Sequence, residues 1–231
     1  MGMAIVDPVW LVQAASDQGS EITANEGEWV TRTALLPGGL AELQEPAVSA
    51  ADGSLVYPGD EKLVLRSIDD EPGLCTITHR KIDKAKIGAP GSSSNDVCFL
   101  DTDGDGRFET SLRIKNLSGT SIFGASLPYR HRVALRPAAY RRLEASAMDP
   151  PLFVGVKFSG VYIDGKPHFT VYYGAEGHEA AVGKSMRLAR DGKIDILGAT
   201  YSILARDKHM IRVRVEKAIP AQRFQLTEGV F

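Results

Sequence analysis

The sequence predicts an all-β protein, an antiparallel β-sandwich or barrel of short hairpin-linked strands. Three observations lead there. Apolar and polar residues alternate over short runs, turn residues interrupt those runs at close intervals, and only one stretch has helical character. Such density of short strands is the pattern of layered or closed antiparallel sheets.

In chain order, Trp10-Leu11-Val12 is the first expected strand, and Ser16–Ser20 reads as polar linker. Glu28–Leu36 alternates and stops at the turn cluster Pro37-Gly38-Gly39. Lys62–Ile68 follows the turn Pro58-Gly59-Asp60. Two further strand-like runs, Leu74–Lys81 and Val97–Leu100, flank a connection containing Ala89-Pro90-Gly91-Ser92-Ser93-Ser94. Phe108, Thr110, Leu112 and Ile114 then alternate with Glu109, Ser111, Arg113 and Lys115, a strand with one wet face.

The exception is Pro137–Ala145, expected as a short helix with Pro137 in its first turn and Tyr140 and Leu143 on one side. Asp149-Pro150-Pro151 ends that region. It suggests an N-terminal β region over 1–148 and a C-terminal hairpin-rich region over 149–231, unless the two are one continuous domain. Beyond it, Leu152–Ile163 and Pro167–Tyr173 flank Asp164-Gly165, a primed-turn dipeptide, and Ser185–Ala189 and Lys193–Leu197 flank Asp191-Gly192. Thr200–Ala205 and Met210–Glu216 pair across Arg206-Asp207-Lys208. In the last strand Ile211, Val213 and Val215 point inward and Arg212, Arg214 and Glu216 outward.

The totals narrow the function. A net charge of −2 with both signs interspersed leaves no electrostatic footprint for nucleic acid or an anionic membrane. No run approaches the ~20 apolar residues of a spanning helix. The opening Met1-Gly2-Met3-Ala4-Ile5-Val6-Asp7-Pro8 lacks a basic start, and Asp7-Pro8 interrupts its apolar run. A cytosolic chain and a mature chain with a replaced leader both fit that opening.

Between two of the expected strands lies Asp101-Thr102-Asp103-Gly104-Asp105-Gly106-Arg107-Phe108-Glu109. Carboxylates at positions one, three, five and nine crowd into one turn, where each disfavours ionisation of the others unless a cation sits among them. Against the twelve-residue helix-loop-helix calcium site, the fit covers positions one, three, five and the turn glycine, with the Arg107 carbonyl at seven. It fails at twelve, where Leu112 replaces the bidentate Glu, and the flanks read as strands. The loop resembles instead the DxDGDGxx(D/E) hairpin loops of the calcium-binding repeats of integrin-type propellers. That resemblance implies Ca²⁺ held by Asp101, Asp103, Asp105 and Glu109, with Glu in place of the usual Asp at nine. It spans nine residues and implies neither a fold nor an activity. An acidic turn whose Asp side chains cap backbone N–H groups is the alternative.

Cys75 and Cys98 are the only cysteines. A disulfide between them would close a loop of roughly two dozen residues, worth about 3 kcal/mol in the chain-entropy account. A lone pair of cysteines fits an oxidising compartment, and the expected location is therefore periplasmic or secreted.

Other constellations are weaker. Val182-Gly183-Lys184-Ser185 lacks the upstream glycine of a phosphate loop, and no HExxH, GxSxG or paired CxxC occurs. His178-Glu179 is the one acid/base pair worth testing. The basic strip containing Arg141 and Arg142 is a candidate grip for an anionic ligand, with a solvated face as the alternative. Tyr172-Tyr173, Phe169 and Tyr162 put aromatics on both faces of one hairpin, those on the wet face offering a platform for sugar. The expectation is a non-catalytic, calcium-stabilised extracytoplasmic protein with a role in surface attachment, assembly or glycan binding and a glycan or protein partner. A hydrolase on a β scaffold, acting on a glycan or similar substrate, is the alternative, and a homo-oligomer with strands paired between chains is a third reading.

Overall fold

The computed structural model describes residues 6–59, 62–68, 71–76, 95–116, 126–161, 165–182 and 192–224. The described strands are, in chain order, β1 (Val6–Pro8), β2 (Trp10–Val12), β3 (Glu21–Asn25), β4 (Trp29–Pro37) and β5 (Leu40–Leu43). Next come β6 (Ala47–Val48), β7 (Leu55–Tyr57), β8 (Lys62–Ile68), β9 (Glu71–Thr76) and β10 (Asn95–Leu100). They are followed by β11 (Arg107–Asn116), β12 (Ser126–Leu143), β13 (Leu152–Val161), β14 (Pro167–Ala175) and β15 (His178–Val182). Last are β16 (Lys193–Ile196), β17 (Ala199–Arg206), β18 (Met210–Lys217) and β19 (Gln222–Phe224). The protein is all-β. The Cys-flanked connection and the Ser185–Ala189 arm fall outside the described residues.

Two compact units divide the chain. The first comprises Met1–Trp10 and Pro37–Met148, the second Leu11–Leu36 and Asp149–Phe231. The chain changes unit at 10/11, 36/37 and 148/149. Within the second unit, β3 pairs with β18 and β4 with β13, both in the C-terminal part, and β4 also pairs with β2.

In the first unit the hydrogen-bonded order is β1-β12-β11-β10-β9-β8-β5. Both β1 and β5 pair with β8 and with β12, so the path of pairings returns on itself. β10 lies at its centre. Its residues Val97, Cys98, Phe99 and Leu100 are all buried, which is why they read as an unbroken apolar run rather than an alternating one. Val97 and Phe99 pack with Leu43, Leu63 and Phe108, whereas Cys98 and Leu100 pack with Ile68, Leu112 and Ile114.

The expected helix over Pro137–Ala145 is not formed. Those residues continue β12 as far as Leu143, and only a 3-10 turn follows, Ala145–Ala147. Helix formers such as Ala, Leu and Arg are overridden by pairing on both sides: Ala138 and Ala139 oppose β11, and Tyr140 to Leu143 oppose β5. Pro137 is accommodated because the β11–β12 register shifts there, between Phe108 and Thr110.

The second unit contains a six-stranded sheet, β15-β14-β13-β4-β2-β19, and a four-stranded sheet, β16-β17-β18-β3. In β14, Phe169, Val171 and Tyr173 are buried while His168, Thr170 and Tyr172 are half-buried, the period-two signature of a sheet with one inward face. In β18, Ile211, Val213 and Val215 are buried and Arg212, Arg214 and Glu216 exposed. β16 turns into β17 through Leu197-Gly198, both with positive φ.

Candidate metal centre

The site is the loop joining β10 to β11. Backbone conformation sets its path: Gly104 (φ +79°) and Gly106 (φ +87°) occupy the left-handed region that L-residues avoid. A Cβ at either would meet open space, so conformation alone demands glycine there.

Around these turns the carboxylates fold inward onto backbone N–H groups. Asp101 Oδ1 accepts from Gly104 N at 2.7 Å and Asp101 Oδ2 from Gly106 N at 3.0 Å. Asp103 Oδ1 accepts from Asp105 N at 3.2 Å, and Asp105 Oδ1 from Arg107 N at 2.8 Å. Glu109 reaches back from β11, its Oε2 accepting from the Thr102 N–H at 2.8 Å and the Thr102 hydroxyl at 3.0 Å. The Tyr140 hydroxyl, from β12, donates to Asp101 Oδ2 at 2.9 Å.

The result is one oxygen cluster. Asp101, Asp103, Asp105 and Glu109 each offer an oxygen, and these lie within 4.8 Å of one another. Glu109 Oε1 is buried and accepts no hydrogen bond from the protein. Partial burial of Asp101 pushes its carboxyl up, but the Tyr140 hydroxyl and the Gly106 and Gly104 N–H groups outweigh it and hold the group below its ordinary value. Burial and the Asp101 acceptor together raise the Tyr140 phenol. Such a cluster, with oxygen donors and at least one acceptor uncommitted, can hold a metal ion.

Arg107, expected to lend its carbonyl, opens β11 opposite Ala139, and its Nη2 donates to Glu45 Oε1 and the Pro137 carbonyl. Beneath the loop, Cys75 and Cys98 face each other in register on β9 and β10 and form a disulfide. It ties the strand that enters the loop to its neighbour.

The remaining candidates are dispersed. His178 and Glu179 open β15, opposite Ala175 and Gly174; Glu179 Oε1 accepts from Gly177 N at 3.4 Å, and His178 Nδ1 is buried without a protein partner. Arg141 pairs with Glu42 across β12 and β5 at 2.7 Å and holds that carboxyl below its ordinary value. Arg142, its neighbour in the strand, contacts the Tyr140 hydroxyl instead, so the two arginines do not form one grip. Tyr140 and Thr102 are the site residues that motif reading misses. Thr102 sits at an unspecified place in the motif, and Tyr140 comes from 39 residues away in sequence.

No protein family, curated protein or solved structure matches this chain in comparisons with known proteins. Among the described residues no helix is long and apolar enough to cross a membrane.

Proposed function

We propose that the β10–β11 loop binds one Ca²⁺ and that the protein is a non-catalytic, extracytoplasmic β protein, periplasmic or secreted, acting by attachment, assembly or ligand binding. The observation that carries the metal is the oxygen cluster with the uncommitted Glu109 Oε1. Oxygens at 2.3–2.6 Å from Ca²⁺ are at most about 5 Å apart, so oxygens that all lie within 4.8 Å of one another can surround one such ion. Asp101 Oδ2 and Glu109 Oε2 each accept two hydrogen bonds, so ligation falls to the remaining carboxylate oxygens, Glu109 Oε1 foremost. The disulfide supports the oxidising location.

The test is a thermal melt of the full chain with Ca²⁺ and with a chelator. Calcium bound only by the native state at a hundred times its dissociation constant adds about 2.7 kcal/mol, a rise of about 5–10 °C. Identical midpoints refute the metal.

One observation favours a second reading, a hydrolase. Glu26 Oε2 holds His209 Nδ1 at 2.9 Å beside a cavity of about 210 Å³ that Ser159 and Lys208 also line. A carboxylate-backed imidazole facing a cavity is a candidate general base, while the Ser159 hydroxyl is engaged with Thr170 Oγ1 at 2.8 Å. Ester turnover abolished by His209→Ala would support it, and no turnover across an ester panel would remove it.

A further inference from the structure

The outward face of the six-stranded sheet gathers aromatic rings around two cations. Lys157 on β13 lies directly opposite Trp29 on β4. Its Nζ sits 4.4 Å from the Trp29 ring centroid and 5.0 Å from that of Tyr172. Trp29 in turn meets Phe153 edge-on at 5.2 Å and Tyr172 at 6.0 Å. Arg32 lies over Phe153 at 5.5 Å. A bulge between Val156 and Lys157 in the β4–β13 ladder brings Trp29 onto this face, while Val30 is buried. Gly155 opposes both Arg32 and Tyr172 and contributes no side chain. A Cβ there would lie 2.5 Å from the Thr31 carbonyl oxygen, so the patch is floored by bare backbone at its centre.

Charge identifies what such a face accepts. Lys157 is half-buried and, among the described residues, has no carboxylate at ion-pair distance; its ammonium group rests against ring faces. Ring faces return part of the hydration it loses, leaving it poised for an anion. Arg32 has one acid, Glu176, at 3.6 Å, and that carboxylate is 81% exposed. Exposed pairs of this kind contribute little and exchange readily. A ligand carboxylate can therefore displace Glu176 and meet Lys157 with little loss.

We infer that this face, built on Trp29, Arg32, Lys157 and Tyr172 over the buried Phe153, is a binding site for an acidic glycan bearing uronate groups. The inference rests on the reading of the protein as a binding rather than a catalytic module, and needs no metal. A sugar ring offers apolar C–H surface to aromatic rims and carboxylate to fixed cations, the two chemistries present together here. A peptide is disfavoured because the patch lies on strands inside the sheet, whose backbone groups are already paired, rather than on an edge. Nucleic acid is disfavoured because two cations on a chain of net charge −2 cannot neutralise the several phosphates that such binding requires.

Tryptophan fluorescence tests it. The chain has two tryptophans, and Trp10 is 1% exposed, so Trp29 is the reporter. Polygalacturonate is expected to change the emission of the full chain saturably, in Ca²⁺ and in chelator alike, while neutral dextran does not. Lys157→Gln and Arg32→Gln, each checked for an unchanged melt, are expected to weaken binding about tenfold, and Arg206→Gln to leave it unchanged. The inference is overturned by no saturable response, by equal response to dextran, by tighter binding of polyglutamate or a thymidine oligomer, or by full affinity in both variants. Saturable binding in chelator with a calcium-insensitive melt would uphold the glycan site and refute the metal; the converse would refute the glycan site alone.

Discussion

Tyr140 binds the loop through its hydroxyl and the core through its ring. It donates to Asp101 Oδ2 at 2.9 Å while stacking on Phe108, with centroids 4.2 Å apart and planes 13° from parallel. Phe108 stacks in turn on the fully buried Phe99. The aromatic column thus connects the acidic turn to the interior of the first unit.

Replacing Tyr140 by Phe keeps the column and removes one donor to a charged acceptor. Because the residue is half-buried, the cost should fall near the lower end for such bonds, about 1–2 kcal/mol. Chemical denaturation of Tyr140→Phe measures this. A calcium titration of the same variant should show weaker binding, since Asp101 loses its anchor from β12.

Gly106→Ala isolates the backbone. With φ at +87° and open space where the added methyl group would stand, the penalty is conformational, about 1–2 kcal/mol. Thermal melts of Gly106→Ala should show that loss in chelator as well as in calcium. A variant as stable as the parent would show that the turn tolerates another conformation.

The disulfide is separable from the loop. Cys75→Ala with Cys98→Ala frees a segment of sequence separation 23 in the unfolded chain, and about 3 kcal/mol of stability should disappear. Urea titration of the double variant, compared with the parent under reducing conditions, provides the check; the two should lose similar amounts.

Alkaline stability is governed in part by Tyr173. Burial pushes its phenol up to about 12 from an ordinary value near 10. Between those values the native state retains a proton that the unfolded chain has released, so stability is full below pH 10 and declines as pH rises toward 12. Two units correspond to about 2.7 kcal/mol. Tyr173→Phe should flatten the pH dependence of the melting midpoint across this interval.

What the sequence made legible follows how far each feature reaches along the chain. β18 announces itself because Ile211, Val213 and Val215 alternate with charged residues within one strand, and the structure buries the former. The acidic cluster is equally local, its four carboxylates falling within nine residues. Tyr140 is invisible in this sense, because a strand of the same sheet delivers it from far along the chain. The helix expected at 137–145 fails for the same reason: neighbours on β11 and β5, not local preference, decide its conformation. Leu11–Leu36 has strand patterning, but nothing in that patterning says its partners begin at Leu152.

That last separation has a consequence for biosynthesis. β3 and β4 leave the ribosome well before β13 and β18, against which they pair and which are made more than a hundred residues later. During translation the residues of the first unit are complete while β3 still lacks β18 and β4 still lacks β13 on one side. A nascent chain halted near Met148 would therefore present unpaired strand edges to chaperones.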